Sequence, residues 1–271
     1  MSIVAVSDVH LGMKGAKEKE FIDFIDHLKN KNVGHLVLLG DIIDIWRRDF
    51  TKAVMECSES LTRLNDMLDD TEIHYIVGNH DFYLLRLSEI LKENFPFEVK
   101  KHEVIRSKEQ EFFFFHGYQL EVLCNPYYKS MKTYETFSEH MCLAGDDAGN
   151  AAEMVWEEIQ SKRSFWDTLK RFPSEPKSAL MSMMQPPEKR IRNFNKHNVI
   201  DPIMDLAGAK TRHFLLSIRP DQYMIYGHTH VAYVDDKNMV ANTGSWGFGE
   251  DRGLEYIEII DDKVELKEFK P

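Results

Sequence analysis

Cysteine is scarce in this chain: Cys57, Cys124 and Cys142 are the three among 271 residues, and they are scattered. An odd number without paired spacing argues against a disulfide framework and against a thiolate zinc site, which leaves buried or idle thiols. No stretch approaches the roughly 18 consecutive apolar residues of a membrane-spanning helix. The opening "MSIVAVSDVHLG" lacks the basic start and cleavage site of a signal peptide, so a cytoplasmic location is expected. Internal repeats and low-complexity tails are absent as well. So is an excess of positive charge: the formal net charge of -11 sets the average surface against the phosphates of nucleic acid.

That negative charge is unevenly spread. Between positions 160 and 215 stand eleven basic residues, among them Arg190, Arg192, Lys210 and Arg212, against five acidic ones. Two readings stay open, a solvated helical surface or a basic wall facing an anionic substrate. The surrounding stretch from Tyr118 to Pro220 is rich in Met, Lys and Arg. It has helical spacing in "AAEMVWEEIQ" and "SFWDTLKRF", with breaks at Pro173, Pro176, Pro186 and Pro187. It reads as a helical cap inserted at about 120–215 into a single domain spanning 1–271.

Five apolar runs end in polar residues able to bind metal: "IVAVSDVH" (3–10), "HLVLLGD" (35–41), "IHYIVGNHD" (73–81), "EFFFFH" (111–116) and "YMIYGHTH" (223–230). Near-continuous Val, Ile, Leu and aromatic runs fit strands covered on both faces. Helical patterns at roughly 17–31 and 50–69 separate the first three, so the chain opens β-α-β-α-β. The segments "HVAYVDD", "MVANTGSW" and "LEYIEIIDDKVELKEF" alternate and read as further, mostly antiparallel strands. In open α/β sheets ligands bind beyond the carboxyl ends of the strands, which would gather all five polar clusters in one place. Asp8 and His10, like His228 and His230, are spaced i, i+2, which in extended backbone puts both side chains on one face.

Each cluster alone has a plainer reading: "GNHD" as a turn, Asp-x-His as a turn or cap, His-x-His as a structural pair. Five of them in one order, each at a strand end, favour a shared site. The ordered set Asp8-x-His10, Gly40-Asp41, Gly78-Asn79-His80-Asp81, His116-Gly117 and Gly227-His228-Thr229-His230 resembles the calcineurin-like metallophosphoesterases over positions 8 to 230. The resemblance implies a four-layer α/β/β/α sandwich with two mixed β-sheets and two divalent metal ions. Asp8, His10 and His230 would hold the first ion, Asn79, His116 and His228 the second, and Asp41 would bridge them. Manganese is the first choice of ion. Fe, Zn, Ni or Co are alternatives, since nitrogen and oxygen ligands without thiolate suit them all.

The resemblance also implies the chemistry. Two divalent ions, less the charges of Asp8 and Asp41, leave a first shell of roughly +2, and a bridging water facing that charge becomes a hydroxide nucleophile near neutral pH. His80 would protonate the leaving group, a contribution of about 10²–10⁴ in rate. Asp44 has two open readings, the partner that orients His80 or a helix N-cap. Asp81 is expected to hold its loop through backbone hydrogen bonds. Asn242, Thr243 and Gly244 resemble a segment that supports the site.

Departures within the family narrow the substrate. Its serine/threonine protein phosphatases follow "GDxxD" with Arg-Gly, where this chain has Ile45-Trp46, which argues against a protein substrate. Layout and cap are similar to the UDP-2,3-diacylglucosamine pyrophosphatases, which usually carry Arg at the position of His80 and often Asp at that of Tyr118. The repair nucleases share "DVHLG" and "GNHD" but usually add a C-terminal region that this chain barely accommodates. The expected activity is hydrolysis of a phosphodiester or pyrophosphate bond in an anionic phosphoester of small or medium size. The alternatives are a nuclease, with nucleic acid as the less favoured partner, and a non-catalytic scaffold. The cap is also a candidate for peripheral membrane contact. Oligomeric state is not readable.

Overall fold

The computed structural model describes residues 2–46, 49–92, 95–125, 128, 130–143, 200–247 and 253–271. All five apolar runs form strands: Ser2–Val6 (β1), His35–Leu39 (β2), Glu72–Ile76 (β3), Glu111–Phe115 (β6) and Gln222–Tyr226 (β7). The C-terminal segments supply Tyr233–Asp235 (β8), Val240–Asn242 (β9), Glu255–Ile260 (β10) and Lys263–Glu268 (β11). Two further strands, Glu98–Lys100 (β4) and His102–Arg106 (β5), carry no apolar run in the sequence.

 Strand β4 is only 3 residues long, and in β5 the apolar pair Val104 and Ile105 is flanked by His102, Glu103 and Arg106, so neither forms an apolar run.

The helices are Glu18–Asn30 (α1), Phe50–Glu56 (α2), Ser58–Asn65 (α3), Tyr83–Leu91 (α4), Tyr118–Cys124 (α5), Met131–Leu143 (α6), Ile200–Gly208 (α7) and Thr211–Leu215 (α8). The single helical pattern at 50–69 is in fact two helices. Cys57, with φ -95° and ψ 18°, ends α2 and begins α3. Asp49 starts α2, its carboxylate accepting from the Thr51 and Lys52 amides at 3.0 and 3.2 Å.

One sheet has six strands in the order β11-β10-β1-β2-β3-β4, and the other has five in the order β5-β6-β7-β9-β8. Both are mixed: β1–β2, β2–β3, β3–β4, β6–β7 and β7–β9 pair in parallel, and the remaining pairs are antiparallel. The period-2 alternation of each strand then feeds three apolar layers. Ile3, Ala5, Val37 and Leu39 face Phe112, Phe114, Tyr223 and Ile225 between the sheets. Val4, Val6, Leu36 and Leu38 pack outward on Phe21, Phe24, Ile25 and Leu28 of α1. Phe113, Phe115, Met224 and Tyr226 pack on Ile203 and Ala207 of α7. The result is the α/β/β/α sandwich implied by the resemblance.

Of the expected cap, α5 and α6 lie at its start and α7 and α8 at its end, while residues 144–199, including Arg190 and Arg192, fall outside the described residues. Two members of the basic set are described. Lys210 is exposed, but Arg212 is only 2% exposed and donates to the carbonyls of Ala207, Asn238 and Met239, so it ties the end of α7 to the β8–β9 turn. Arg212 therefore does not belong to a substrate-facing wall. No helix among the described residues is long and apolar enough to cross a membrane.

Phe114 is fully buried between the sheets. Phe114→Ala should cost about 3–5 kcal/mol of unfolding free energy in urea denaturation. A loss below about 1 kcal/mol would mean that the two sheets do not depend on this layer.

Candidate metal centre

The polar clusters follow the carboxyl ends of β1, β2, β3, β6 and β7, and the backbone there departs from the extended form. Asp8, His10, Asp41, His228 and His230 all adopt positive φ, between 52° and 68°. The i, i+2 pairs are thus brought together by left-handed residues beyond the strand ends and not by strand alternation. Asp and His are among the non-glycine residues that tolerate this region, at a cost of order 1–3 kcal/mol each. Gly40, with φ +85°, has no room for a side chain: a Cβ there would lie 2.5 Å from His116 Nδ1 and 2.7 Å from the Gly78 amide.

Backbone hydrogen bonds lock these loops to one another. Asp8 and His10 donate from their amides to the carbonyls of Gly40 and Asp41, at 3.1 and 2.9 Å, and the Ile45 amide reaches the His80 carbonyl at 3.1 Å. Asp81 accepts from the amides of Gly78 and Ile42, at 2.7 and 2.9 Å, and from the Tyr75 hydroxyl at 2.8 Å, which is the loop-holding role expected of it. The two sheets meet where the His228 amide donates to Asp8 Oδ2 at 3.0 Å. Asn242 supports this junction by donating to the Gly227 carbonyl at 2.8 Å and to Thr229 Oγ1 at 3.0 Å.

The side chains form two adjoining groups whose ligand atoms all lie within 4.8 Å of one another, Asp8 with His10 and His230, and Asp41 with His116 and His228. In the first, His230 Nε2 lies 3.0 Å from Asp8 Oδ1. In the second, His116 Nε2 lies 3.2 Å from Asp41 Oδ2 and 3.3 Å from His228 Nδ1. Asn79 Oδ1 is buried and makes no hydrogen bond, a costly arrangement for a carbonyl oxygen unless a cation meets it. Buried carboxylates, imidazoles and an amide oxygen without a partner form a donor set suited to divalent ions. Asp44 lies beside the first group and accepts from His10 Nδ1 at 2.9 Å and His80 Nδ1 at 3.1 Å. It caps no helix, since Asp49 does that for α2.

The family model for calcineurin-like phosphoesterases matches residues 1–232. The chain belongs to the calcineurin-like phosphoesterase family. Among solved structures, this family member is similar to Yfce, a phosphoesterase from E. coli, at 14% identity, covering 97% of this chain and 91% of that one with a TM-score of 0.47. It is also similar to a dimetal phosphatase from Danio rerio, at 13% identity, 99% and 95% coverage and a TM-score of 0.48. Vacuolar Protein Sorting 29 from Cryptosporidium parvum is similar at 11% identity, 100% and 98% coverage and a TM-score of 0.42. No curated protein matches the sequence.

Two residues near the site carry no family motif. Glu121, on α5, accepts from His228 Nε2 at 2.7 Å and from the Tyr128 hydroxyl at 2.9 Å. This fixes the His228 tautomer so that Nδ1 faces the Asp41 group. Its only signal in the sequence is an acidic residue within the apolar turn "LEVLC" just after His116-Gly117. Trp46 stacks on His80 with ring centroids 4.3 Å apart and is held from behind by Phe137 of α6. Tyr118 is fully buried and bonds Glu135 at 3.0 Å, so it serves packing between α5 and α6.

The charges of the site balance within it. Burial alone would raise the carboxyls of Asp8 and Asp41, but His230 and His116 outweigh it for Asp8, and His116 and His80 for Asp41, so both lie below the usual range. Burial likewise opposes ionisation of Asp44, and the charge of His80 with hydrogen bonds from His10 and His80 overcomes it. For His116, burial would lower the imidazole, yet the Asp41 and Asp8 carboxylates raise it to about 10. The folded, metal-free protein therefore holds this proton more tightly than the unfolded chain. That stabilisation is complete below the ordinary 6.5 and is lost as the pH rises through about 10. Metal-stripped protein should lose stability to urea from pH 6.5 to 10, and His116→Gln should lose less over that interval. A wild-type stability that is flat or rising there would contradict the pairing.

Proposed function

We propose that this family member hydrolyses a phosphodiester or pyrophosphate bond in an anionic substrate of small or medium size, using two divalent ions, with manganese the first choice. The reading rests on one observation: two three-residue groups of converging ligand atoms accompany a buried, unpartnered carbonyl oxygen on Asn79, whose neighbour His80 donates its amide to Asp41 of the second group. Asp8, His10 and His230 would hold one ion, Asn79, His116 and His228 the other, and Asp41, between the groups, would bridge them. Bound there, the ions supply positive charge that polarises the phosphoryl oxygens and lowers the pKa of water.

The chain's own residues account for the remaining roles. His80 is the proton donor to the leaving-group oxygen, and Asp44 orients its ring by accepting from Nδ1, while Trp46 confines the ring from its face. His80 is 8% exposed, which leaves it reachable from the pocket. Asp41 also accepts from the His80 amide at 2.8 Å, so one carboxylate fixes both the second ligand group and the donor loop. The net negative charge weighs against a nucleic-acid polyanion and the missing protein-phosphatase signature against a protein substrate, which leaves a phosphoester of small or medium size, and the cytoplasm is the expected compartment.

The test is hydrolysis of bis-p-nitrophenyl phosphate by metal-stripped protein with Mn, Ni, Zn or Mg added back, comparing wild type, Asp41→Asn and His80→Ala. Turnover should require a transition ion and vanish in Asp41→Asn. His80→Ala should lower kcat by about 10²–10⁴ for diesters with poor leaving groups and far less for p-nitrophenolate. Equal losses for both leaving groups would remove His80 from the donor role, and turnover independent of metal would overturn the reading. Glu121→Gln should weaken divalent-ion affinity about 10–100-fold in a chelator competition, because His228 loses its orienting carboxylate. Unchanged affinity would reduce Glu121 to a packing role.

A further inference from the structure

A second convergence of ligand atoms lies at the opposite end of the six-stranded sheet. His35 is the first residue of β2, and Glu72 and His74 are the first and third of β3. The parallel register sets His35 beside Glu72 and Val37 beside His74. Alternation then places His35 with Val37 and Leu39, and Glu72 and His74 with Ile76, on the face turned to the second sheet. The two histidines thus close the inter-sheet layer at the amino ends of its strands. Six residues at about 3.3 Å each, roughly 20 Å of chain, separate His35 from Asp41.

The distances are those of a small coordination site. His35 Nδ1 lies 3.0 Å from His74 Nε2, while Glu72 Oε2 lies 3.4 Å from His35 Nδ1 and Glu72 Oε1 lies 3.7 Å from His74 Nε2, so the carboxylate faces the imidazole pair with one oxygen toward each ring. A tetrahedral ion with bonds of about 2.0–2.1 Å holds its ligand atoms about 3.3–3.4 Å apart, and one ligand atom from each of the three residues lies within 4.8 Å of the others, close enough for small side-chain shifts to reach that spacing. A hydrogen bond between two imidazoles would explain the nitrogen pair alone. It would not require a carboxylate aimed at the same two atoms. The other nitrogen of His74, Nδ1, lies 3.9 Å from Glu103 Oε2 on β5, beyond hydrogen-bond reach, and that oxygen accepts from Lys100 Nζ at 2.5 Å. The histidine side chains are 17% and 11% exposed and Glu72 is 67% exposed, so the open side offers an entry path. Burial lowers the His74 pKa, which favours the neutral, ligating form.

We propose that His35, Glu72 and His74 form a mononuclear site for a borderline divalent transition ion of the zinc class, separate from the catalytic pocket, which ties β2 to β3 at the base of the sandwich. The two imidazoles and one carboxylate favour such an ion over magnesium or calcium. A water completes four-coordination.

The test is a zinc titration of the metal-stripped full chain, read as bound metal per chain, for wild type, His74→Gln and Glu72→Gln. None of these residues belongs to the catalytic pocket, so diester hydrolysis should be unchanged in both variants. Wild type should bind one more equivalent of zinc than His74→Gln, and Glu72→Gln should bind that equivalent at least tenfold more weakly. Equal stoichiometry and affinity in wild type and folded His74→Gln would overturn the proposal. If His74→Gln does not fold, Glu72→Gln decides: its exposed side chain makes the fold independent of it, and wild-type affinity in that variant would overturn the proposal equally.

Discussion

Buried negative charge is the constraint on which the rest of this structure depends. Asp8, Asp41 and Asp44 are at most 2% exposed and lie in one pocket. An uncompensated carboxylate in such a place costs several kcal/mol, so each needs a cation or a set of donors. In the metal-free chain the compensation comes from imidazoles, with His230 facing Asp8, His116 facing Asp41, and His10 and His80 sharing Asp44. In two of these pairs, His230 with Asp8 and His116 with Asp41, both partners are among the residues proposed to hold ions. Protons and divalent ions therefore compete for one set of lone pairs, and His116 is where that competition is strongest.

The scaffold exists to hold this pocket together against backbone strain. Five of the site residues have positive φ, and loops in such conformations persist only where their surroundings over-determine them. The surroundings here are two mixed sheets whose inter-sheet layer is packed with Val, Ile, Leu and Phe, and whose parallel strands deliver several loops to one edge. The loops are then cross-linked by amide donors to Gly40, Asp41, Asp81 and Asp8. Rigidity of the pocket is thus a property of the sheets, and chemistry is a property of the loops.

Much of this was legible in the sequence, for physical reasons that also explain what was not. The strands β1, β2, β3, β6 and β7 are covered on both faces, so their residues are almost continuously apolar and each run ends sharply at a polar loop. Strands β4 and β5 lie at sheet edges, and their short or charged segments resemble loops. The site residues were legible because their types and order are unusual together. Their backbone conformation was not, since left-handed residues leave no period in the sequence. Asp44 was ambiguous because an aspartate after a strand serves equally as a cap or as a histidine partner. Glu121 and Trp46 act through contacts across 107 and 34 residues, respectively, which no local spacing encodes. Arg212 shows the converse, a basic residue that charge counting assigned to a surface and that packing took into the interior.

The chemistry proposed for the pocket depends on where the ions sit. A crystal structure of the manganese-loaded protein with an anomalous-difference map would show this directly. Two peaks about 3.5–4 Å apart, one among Asp8, His10 and His230 and the other among Asn79, His116 and His228, with Asp41 between them, are the predicted result. A single peak, or a peak centred among His10, Asp44 and His80, whose ligand atoms also converge, would contradict it.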